Sequence, residues 1–204
     1  MGMHQSVCIA VLAAGAARRM GSPKQLARIG GESLVRRACR IALDARLGDV
    51  CLVTGAYADT VEGEVRGMPV RILPNARWEE GQSTSVRLAV SHCNAHGYRW
   101  LIVLPVDMPL VTADHLRSLL DEALRTGFEI VASRGEAGLM APCVFAASAF
   151  SVLSLLQGDR GAVRVIRDPA MAGRVRAVPF SNACMAFDVD TEKDLMKARM
   201  MLHE

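Results

Sequence analysis

The sequence predicts an α/β protein with three layers, helices packed on both faces of a mainly parallel sheet. Three observations carry this expectation. Short apolar runs alternate with segments of helical period along the whole chain. The runs are apolar at successive positions rather than at every other one, as in strands buried on both faces. Of the 204 residues, 51% are hydrophobic and 22% charged, enough to bury a sizeable core in a single domain spanning 1–204.

Taken in order, VCIAVLA (7–13) reads as a buried strand. SLVRRACRIALDAR (33–46) sets Leu34, Ala38, Ile41, Ala42 and Ala45 at helical spacing, with its arginines mostly opposite. DVCLVTG (49–55) is a second strand, ADTVEGEVRG (58–67) a weaker helix and VRIL (70–73) a third strand. A helix follows from about Ser83 to Ala95, then the nearly all-apolar strand WLIVL (100–104). Thr112 has the character of an N-cap, with Asp114 in the first turn. EIVAS (129–133) and CVFAA (143–147) read as strands, and 149–156 as a helix. TEKD (191–194) is a capping-box pattern opening a helix over 192–202, with Leu195, Ala198, Met201 and Leu202 on one face.

Composition narrows the function classes. A net charge of +3 is too small to argue for nucleic acid. The longest apolar run near the start, VCIAVLAA (7–14), is too short to cross a bilayer and has no basic region ahead of it, so neither a membrane span nor a signal peptide is expected. The six cysteines contain no C-x-x-C pair, and Cys8, Cys39, Cys51 and Cys143 lie inside apolar runs. They read as free thiols of a reducing compartment, the cytoplasm.

Ligands of such folds bind at the carboxyl ends of the strands. The first of these ends is VLAAGAARRMGSPKQL (11–26). It is neither a dinucleotide loop, because no middle glycine stands between Gly15 and Gly21, nor a P-loop, because Ser22 and Pro23 separate Gly21 from Lys24. Small residues at Ala13, Ala14 and Gly15 let backbone N–H groups approach phosphates. Arg19 offers a forked donor and Lys24 a point charge. Taken alone, the loop fits a phosphate cradle and a basic surface turn equally well. Asp107 in PVDMP (105–109) ends the strongest strand, and DVDT (188–191) adds Asp188 and Asp190 before the last helix. Carboxylates gathered from remote segments, beside a triphosphate-type loop, suit Mg²⁺.

These motifs resemble the molybdenum cofactor cytidylyltransferase-like NTP transferases, whose signature L-A-A-G-x-S-x-R-M-G-x-x-K is matched at Leu12 to Lys24. The resemblance continues in order through Asn75 with EGQSTSVRLAV (80–90), PVDMPLV (105–111), GDRGAVRVI (158–166) and FDVDTEKDL (187–195). It implies a Rossmann-like single domain of the nucleotide-diphospho-sugar transferase type. It also implies a transfer of CMP from CTP to the phosphate of a molybdenum-pterin cofactor, with release of pyrophosphate. The implied nucleotide site is the backbone of Leu12, Ala13, Ala14 and Gly15 with Arg19, Lys24, Gly55, Asn75, Ser83 and Ser85. Arg19, Lys24 and Asp107 would be catalytic, and Asp107 and Asp190 would hold Mg²⁺. Ala14, where the guanylyl branch has glycine, favours CTP over GTP.

The sequence departs from this pattern at Ala17, where the family has serine, and at Gln82, where it has methionine. In GLMAPCVF (138–145), Met140 and Ala141 replace glycine and histidine on the side implied for the second substrate. Other acceptors therefore stay open, among them a methylerythritol phosphate or a sugar phosphate, as do GTP as donor and a non-catalytic factor that delivers cofactor to a molybdoenzyme. A nicotinamide oxidoreductase is disfavoured by the missing G-x-G-x-x-G. His92 and His96 flank Cys93 at helical spacing, but without H-E-x-x-H they make a poor zinc site. His4, His115 and His203 read as surface residues, Met196, Met200 and Met201 as core packing, and Trp78 and Trp100 as core or loop anchors.

Overall fold

A computed structural model describes residues 6–16, 20 and 22–202. Strand β1 (Val7–Leu12) leads to a two-residue-per-strand hairpin, β2 (Arg28–Ile29) and β3 (Glu32–Ser33), and then to helix α1 (Leu34–Ala45). There follow β4 (Asp49–Thr54), α2 (Ala58–Glu64), β5 (Arg71–Pro74), α3 (Gln82–His96), β6 (Trp100–Pro105) and α4 (Ala113–Thr126). The remainder is β7 (Ile130–Gly135), β8 (Gly138–Ala146), the short helices α5 (Phe150–Ser154) and α6 (Ala162–Ile166), β9 (Val175–Pro179) and α7 (Glu192–Met201).

Seven strands form one sheet in the order β5-β4-β1-β6-β8-β7-β9. All neighbours are parallel except at β8, which runs against both β6 and β7. Side chains alternate across the strands, and both faces are covered. On β1, Val7, Ile9 and Val11 join the core under α1 and α4, while Cys8, Ala10 and Leu12 join the core under α3, α5 and α6. The chain steps outward from β1 to β4 and β5, then returns through α3 to β6 on the other side of β1. The strand order thus reverses between β1 and β6, which opens a crevice at their carboxyl ends.

Local chemistry sets the boundaries. Ser33 caps α1, accepting from Arg36 N–H at 3.4 Å, and Thr112 caps α4, accepting from His115 N–H at 3.2 Å. Thr191 and Asp194 form the expected capping box of α7, Thr191 N–H donating to Asp194 Oδ2 at 3.0 Å and Asp194 N–H to Thr191 Oγ1 at 3.2 Å. Gly97 and Gly127 end α3 and α4 in the left-handed region.

Several expectations need correction. The β2–β3 hairpin was not anticipated, although Gly30 and Gly31, at φ of 60° and 73°, supply the left-handed pair that a two-residue hairpin turn requires. Strand β9 and the first half of β8 were also missed. Pro142 interrupts the apolar run of β8, and the ladder to β7 shifts register between Ala132 and Ser133. Met196, Met200 and Met201 are 61%, 74% and 39% exposed, not core. Helix α7 packs through Leu195 and Ala198, and its turn carries Met196 and Met200 away from that ridge.

His115 is buried, not on the surface. Its Nε2 lies 2.8 Å from Ser133 Oγ, whose hydroxyl donates to Pro142 O at 2.7 Å, and its ring packs on Phe180 with centroids 4.4 Å apart. The Ser133 proton is therefore spent on Pro142, and the imidazole donates. His4 and His203 lie outside the described residues. His96 Nδ1 lies 2.9 Å from the carbonyl of His92 one turn back. Among the described residues, no cluster of three or more His, Cys, Asp or Glu is arranged to hold a metal.

Burial lowers the His115 pKa to about 4. A lowered folded-state pKa means that the unfolded chain, titrating near 6.5, binds the extra proton first, so this contribution to stability is full above that pH and is lost as pH falls towards 4. We expect His115 to account for a loss of roughly 2 kcal/mol between pH 7 and pH 5. Denaturant titrations at the two pH values should show a smaller drop in His115→Gln than in the unchanged protein. Equal drops would refute the assignment.

Candidate active site

The crevice at the switch point holds a cavity of about 470 Å³, within the range of small-ligand sites. Its floor is the chain leaving β1, Leu12 to Ala16, and the chain leaving β6, Pro105 to Asp107. These ends meet because β1 and β6 pair in parallel with Leu12 opposite Pro105. Lys24 and Asp190 close one wall, and Trp78, Glu79, Gly81, Gln82 and Ser85 the other, with Asp159 also contributing.

The charged centre is compact. Lys24 Nζ lies 2.8 Å from Asp107 Oδ2 and 2.9 Å from Asp190 Oδ1, although the three residues are 83 and 166 positions apart in sequence. Burial alone would lower the Lys24 pKa, but the charge of Asp107, with hydrogen bonds to both carboxylates, raises it above the usual lysine value. Lys24 therefore stays an ammonium at neutral pH. Val189 N–H donates to Asp107 O at 2.8 Å, which ties the acidic segment before α7 to the end of β6. Thr191 and Asp194 cap the helix between them, so the Asp190 carboxylate is turned to Lys24 instead of to the helix end. The Asp188 carboxyl is raised above the usual range, by desolvation first and by the charges of Asp107 and Asp190 next.

Gln25 is the residue that sequence reasoning missed. It is 2% exposed, and its Nε2 donates to Ala13 O at 2.8 Å and to Gly15 O. In a trans peptide unit the N–H points opposite to the C=O. With the Ala13 and Gly15 carbonyls drawn to Gln25, the amides of Ala14 and Ala16 face the other way. A polar residue directly after the basic Lys24, inside a 3-10 turn (Lys24–Leu26), was the available signal. Asp159, in the GDRG segment that carries part of the family resemblance, also lines the cavity.

The predicted site residues divide into two groups. Leu12, Ala13, Ala14, Gly15, Lys24, Ser85, Asp107 and Asp190 line the cavity. Gly55, Asn75 and Ser83 do not, and each supports it from behind. Asn75 Nδ2 donates to Thr84 Oγ1 at 2.8 Å and to Ser85 Oγ at 3.0 Å, holding the first turn of α3. Ser83 N–H donates to Gly158 O at 3.0 Å. A Cβ on Gly55 would stand 2.6 Å from Ala14 O and 2.8 Å from the Cβ atoms of Ala14 and Trp78, so glycine is needed for close packing there. Gly81, at φ 104°, has the Gly158 carbonyl carbon 2.4 Å from where a Cβ would go, which locks 158–161 against the start of α3. Arg19, Ala17 and Gly21 lie outside the described residues.

Comparison with known proteins agrees with this geometry. The MobA-like NTP transferase domain matches residues 9–175. The purine catabolism protein PucB of Bacillus subtilis is 29% identical over 93% of this chain and 95% of its own. A probable molybdenum cofactor guanylyltransferase of Opitutus terrae is 36% identical over 51% of this chain and 49% of its own. A nucleotidyl transferase from Methanothermobacter superposes with a TM-score of 0.84 at 23% identity, covering 97% of this chain and 98% of that one, and so shares the fold. That fold is the nucleotide-diphospho-sugar transferase type. With the match running from within β1 to the start of β9, the chain belongs to the MobA-like NTP transferase family and is a nucleotidyltransferase.

Proposed function

We propose that the protein transfers CMP from CTP to the phosphate of a molybdenum-pterin cofactor, releasing pyrophosphate. The observation that supports this most is the ammonium of Lys24 set between Asp107 and Asp190 in the crevice between β1 and β6. A triphosphate brings several negative charges, and this is where fixed positive charge and carboxylate oxygens stand together. Two carboxylates with substrate phosphates and water are a donor set that suits Mg²⁺. Asp107 and Asp190 would hold that ion, which would neutralise the triphosphate and make the α-phosphorus more electrophilic.

The chain's own residues account for the rest. Amides of Ala14 and Ala16, turned out by Gln25, offer donors to phosphate oxygens. Lys24, and Arg19 by the family resemblance, would stabilise charge on the leaving pyrophosphate. With the phosphates at the Lys24 end, the base falls against Ser85 and its neighbours on α3, held by Asn75. No protein nucleophile is required, because the acceptor phosphate attacks directly. The rate would come from positioning and charge neutralisation.

Ala14 supports the preference for CTP. It lines the cavity, and the guanylyl branch of the family that the sequence resembles has glycine at this position. The acceptor is read from the family alone. The likeness to a guanylyltransferase makes GTP the second reading for the donor, and the departures at Met140 and Ala141 keep other phosphorylated acceptors open. Delivery of the product to a molybdoenzyme or its maturation factor would follow from the first reading, as would a cytoplasmic location. No helix among the described residues is long and apolar enough to cross a membrane.

A pyrophosphate-release assay pairing CTP and GTP with molybdopterin and with a small sugar phosphate should give turnover with CTP and molybdopterin. Turnover only with the sugar phosphate would replace the acceptor. Asp107→Ala should lower kcat by about a hundredfold or more while the melting curve keeps its cooperativity. Full activity in that variant would remove the metal role. Ala14→Gly should shift the ratio of kcat/KM for CTP over GTP towards GTP by about tenfold, a pocket-sized effect of one methyl. An unchanged ratio would sever the link between Ala14 and base choice.

A further inference from the structure

Lys24 occupies the position between Asp107 and Asp190 on which the metal role depends. Its ammonium is within hydrogen-bond distance of one oxygen on each carboxylate, at 2.8 and 2.9 Å. The backbone under it is fixed. Pro23 precedes it, Leu26 N–H donates to Pro23 O at 2.9 Å, and Ala27 N–H donates to Lys24 O at 3.1 Å. Gln25, next in sequence, is tied to Ala13 and Gly15. Lys24 can therefore move only by swinging its four-carbon stem, and its side chain is 17% exposed.

The Val189–Asp107 backbone bond keeps the segment that carries Asp190 at the end of β6, and both carboxylates contact the same ammonium. Two carboxylates gathered on one ammonium repel each other, and a cation between them offsets that repulsion. An ammonium and a divalent ion both seek the same carboxylate oxygens, and both cannot sit between them. A triphosphate changes the balance, because its oxygens offer the ammonium a new partner within reach of the same stem.

We infer that Lys24 is an exchangeable counter-ion, which holds Asp107 and Asp190 ready in the ligand-free enzyme and yields them to the divalent cation only when nucleotide phosphates receive its ammonium. Metal and nucleotide then bind synergistically, and metal alone binds weakly. Lys24 has two successive sets of partners rather than one. This rests on the nucleotidyl-transfer reading of the site.

Mn²⁺ serves as the probe, its free fraction read by electron paramagnetic resonance with and without α,β-methylene-CTP, whose bridging carbon blocks transfer, and each titration is referred to one without protein because the analogue's own phosphates take up Mn²⁺. In the unchanged protein the analogue should tighten Mn²⁺ binding by about tenfold or more, and Mn²⁺ should tighten the analogue equally. In Lys24→Met, Mn²⁺ alone should bind about tenfold tighter than in the unchanged protein, and the synergy should fall below about threefold. Two results overturn the inference: synergy below threefold in the unchanged protein, which needs no variant to fold, or a folded Lys24→Met that binds Mn²⁺ no more tightly. Asp107→Asn separates the two levels. If it binds Mn²⁺ like the unchanged protein, the metal reading itself fails, and the inference with it. If it loses Mn²⁺ while Lys24→Met gains nothing, only the exchange is wrong.

Discussion

Strand β1 is hydrogen-bonded on both sides, to β4 and to β6, and both ladders are parallel. Parallel pairing aligns carboxyl ends, so the loops after β1, β4 and β6 emerge at one edge. Because the chain goes outward from β1 in both directions, the loops after β1 and β6 diverge and leave a crevice. The cavity, the Lys24 bridge and the packing of Gly55 on Ala14 all depend on this alignment. A one-residue slip of β1 would also turn Val7, Ile9 and Val11 into the opposite core.

On that frame, the site is made by charge compensation between segments that share no sequence neighbourhood. The end of β6 brings Asp107, the approach to α7 brings Asp190, and the 3-10 turn after β1 brings Lys24. Backbone bonds fix where each chain runs, and the ammonium reconciles the two carboxylates. The opposite wall is built differently. Asn75, Thr84 and Ser85 form a buried hydrogen-bond network, and the Gly81–Gly158 contact clamps a remote loop onto it. One wall is held by charge, the other by close packing and buried hydrogen bonds.

Much of this was legible in the sequence, for physical reasons. Doubly buried strands announce themselves as apolar runs, and β1, β4 and β6 stood where the runs did. Thr112 and the Thr191–Asp194 box marked helix starts because orphan amides need acceptors. Lys24, Asp107 and Asp190 were legible only together, as charges from three remote segments that the family motifs place at one sheet edge. Other features depend on partners that a linear reading does not supply. His115 looked exposed because nothing in α4 says that Ser133 waits opposite it. Asn75 and Ser83 face away from the cavity, a distinction of a few ångströms that no spacing encodes. The α7 methionines had the right chemistry for a core and the wrong side of the helix.

Strand β8 reverses the sheet's direction for a single strand. Its neighbours deliver their last residues to the crevice edge, but β8 delivers its first, so Met140 and Ala141 come up beside the end of β6. Met140 pairs with Ser133 of β7, and Ala141 is buried in the core shared with α4, so both belong to the antiparallel part of the sheet. The crevice edge therefore combines the ends of parallel strands with the start of an antiparallel one. The departures from the family pattern at Met140 and Ala141 fall on this antiparallel contribution to the edge.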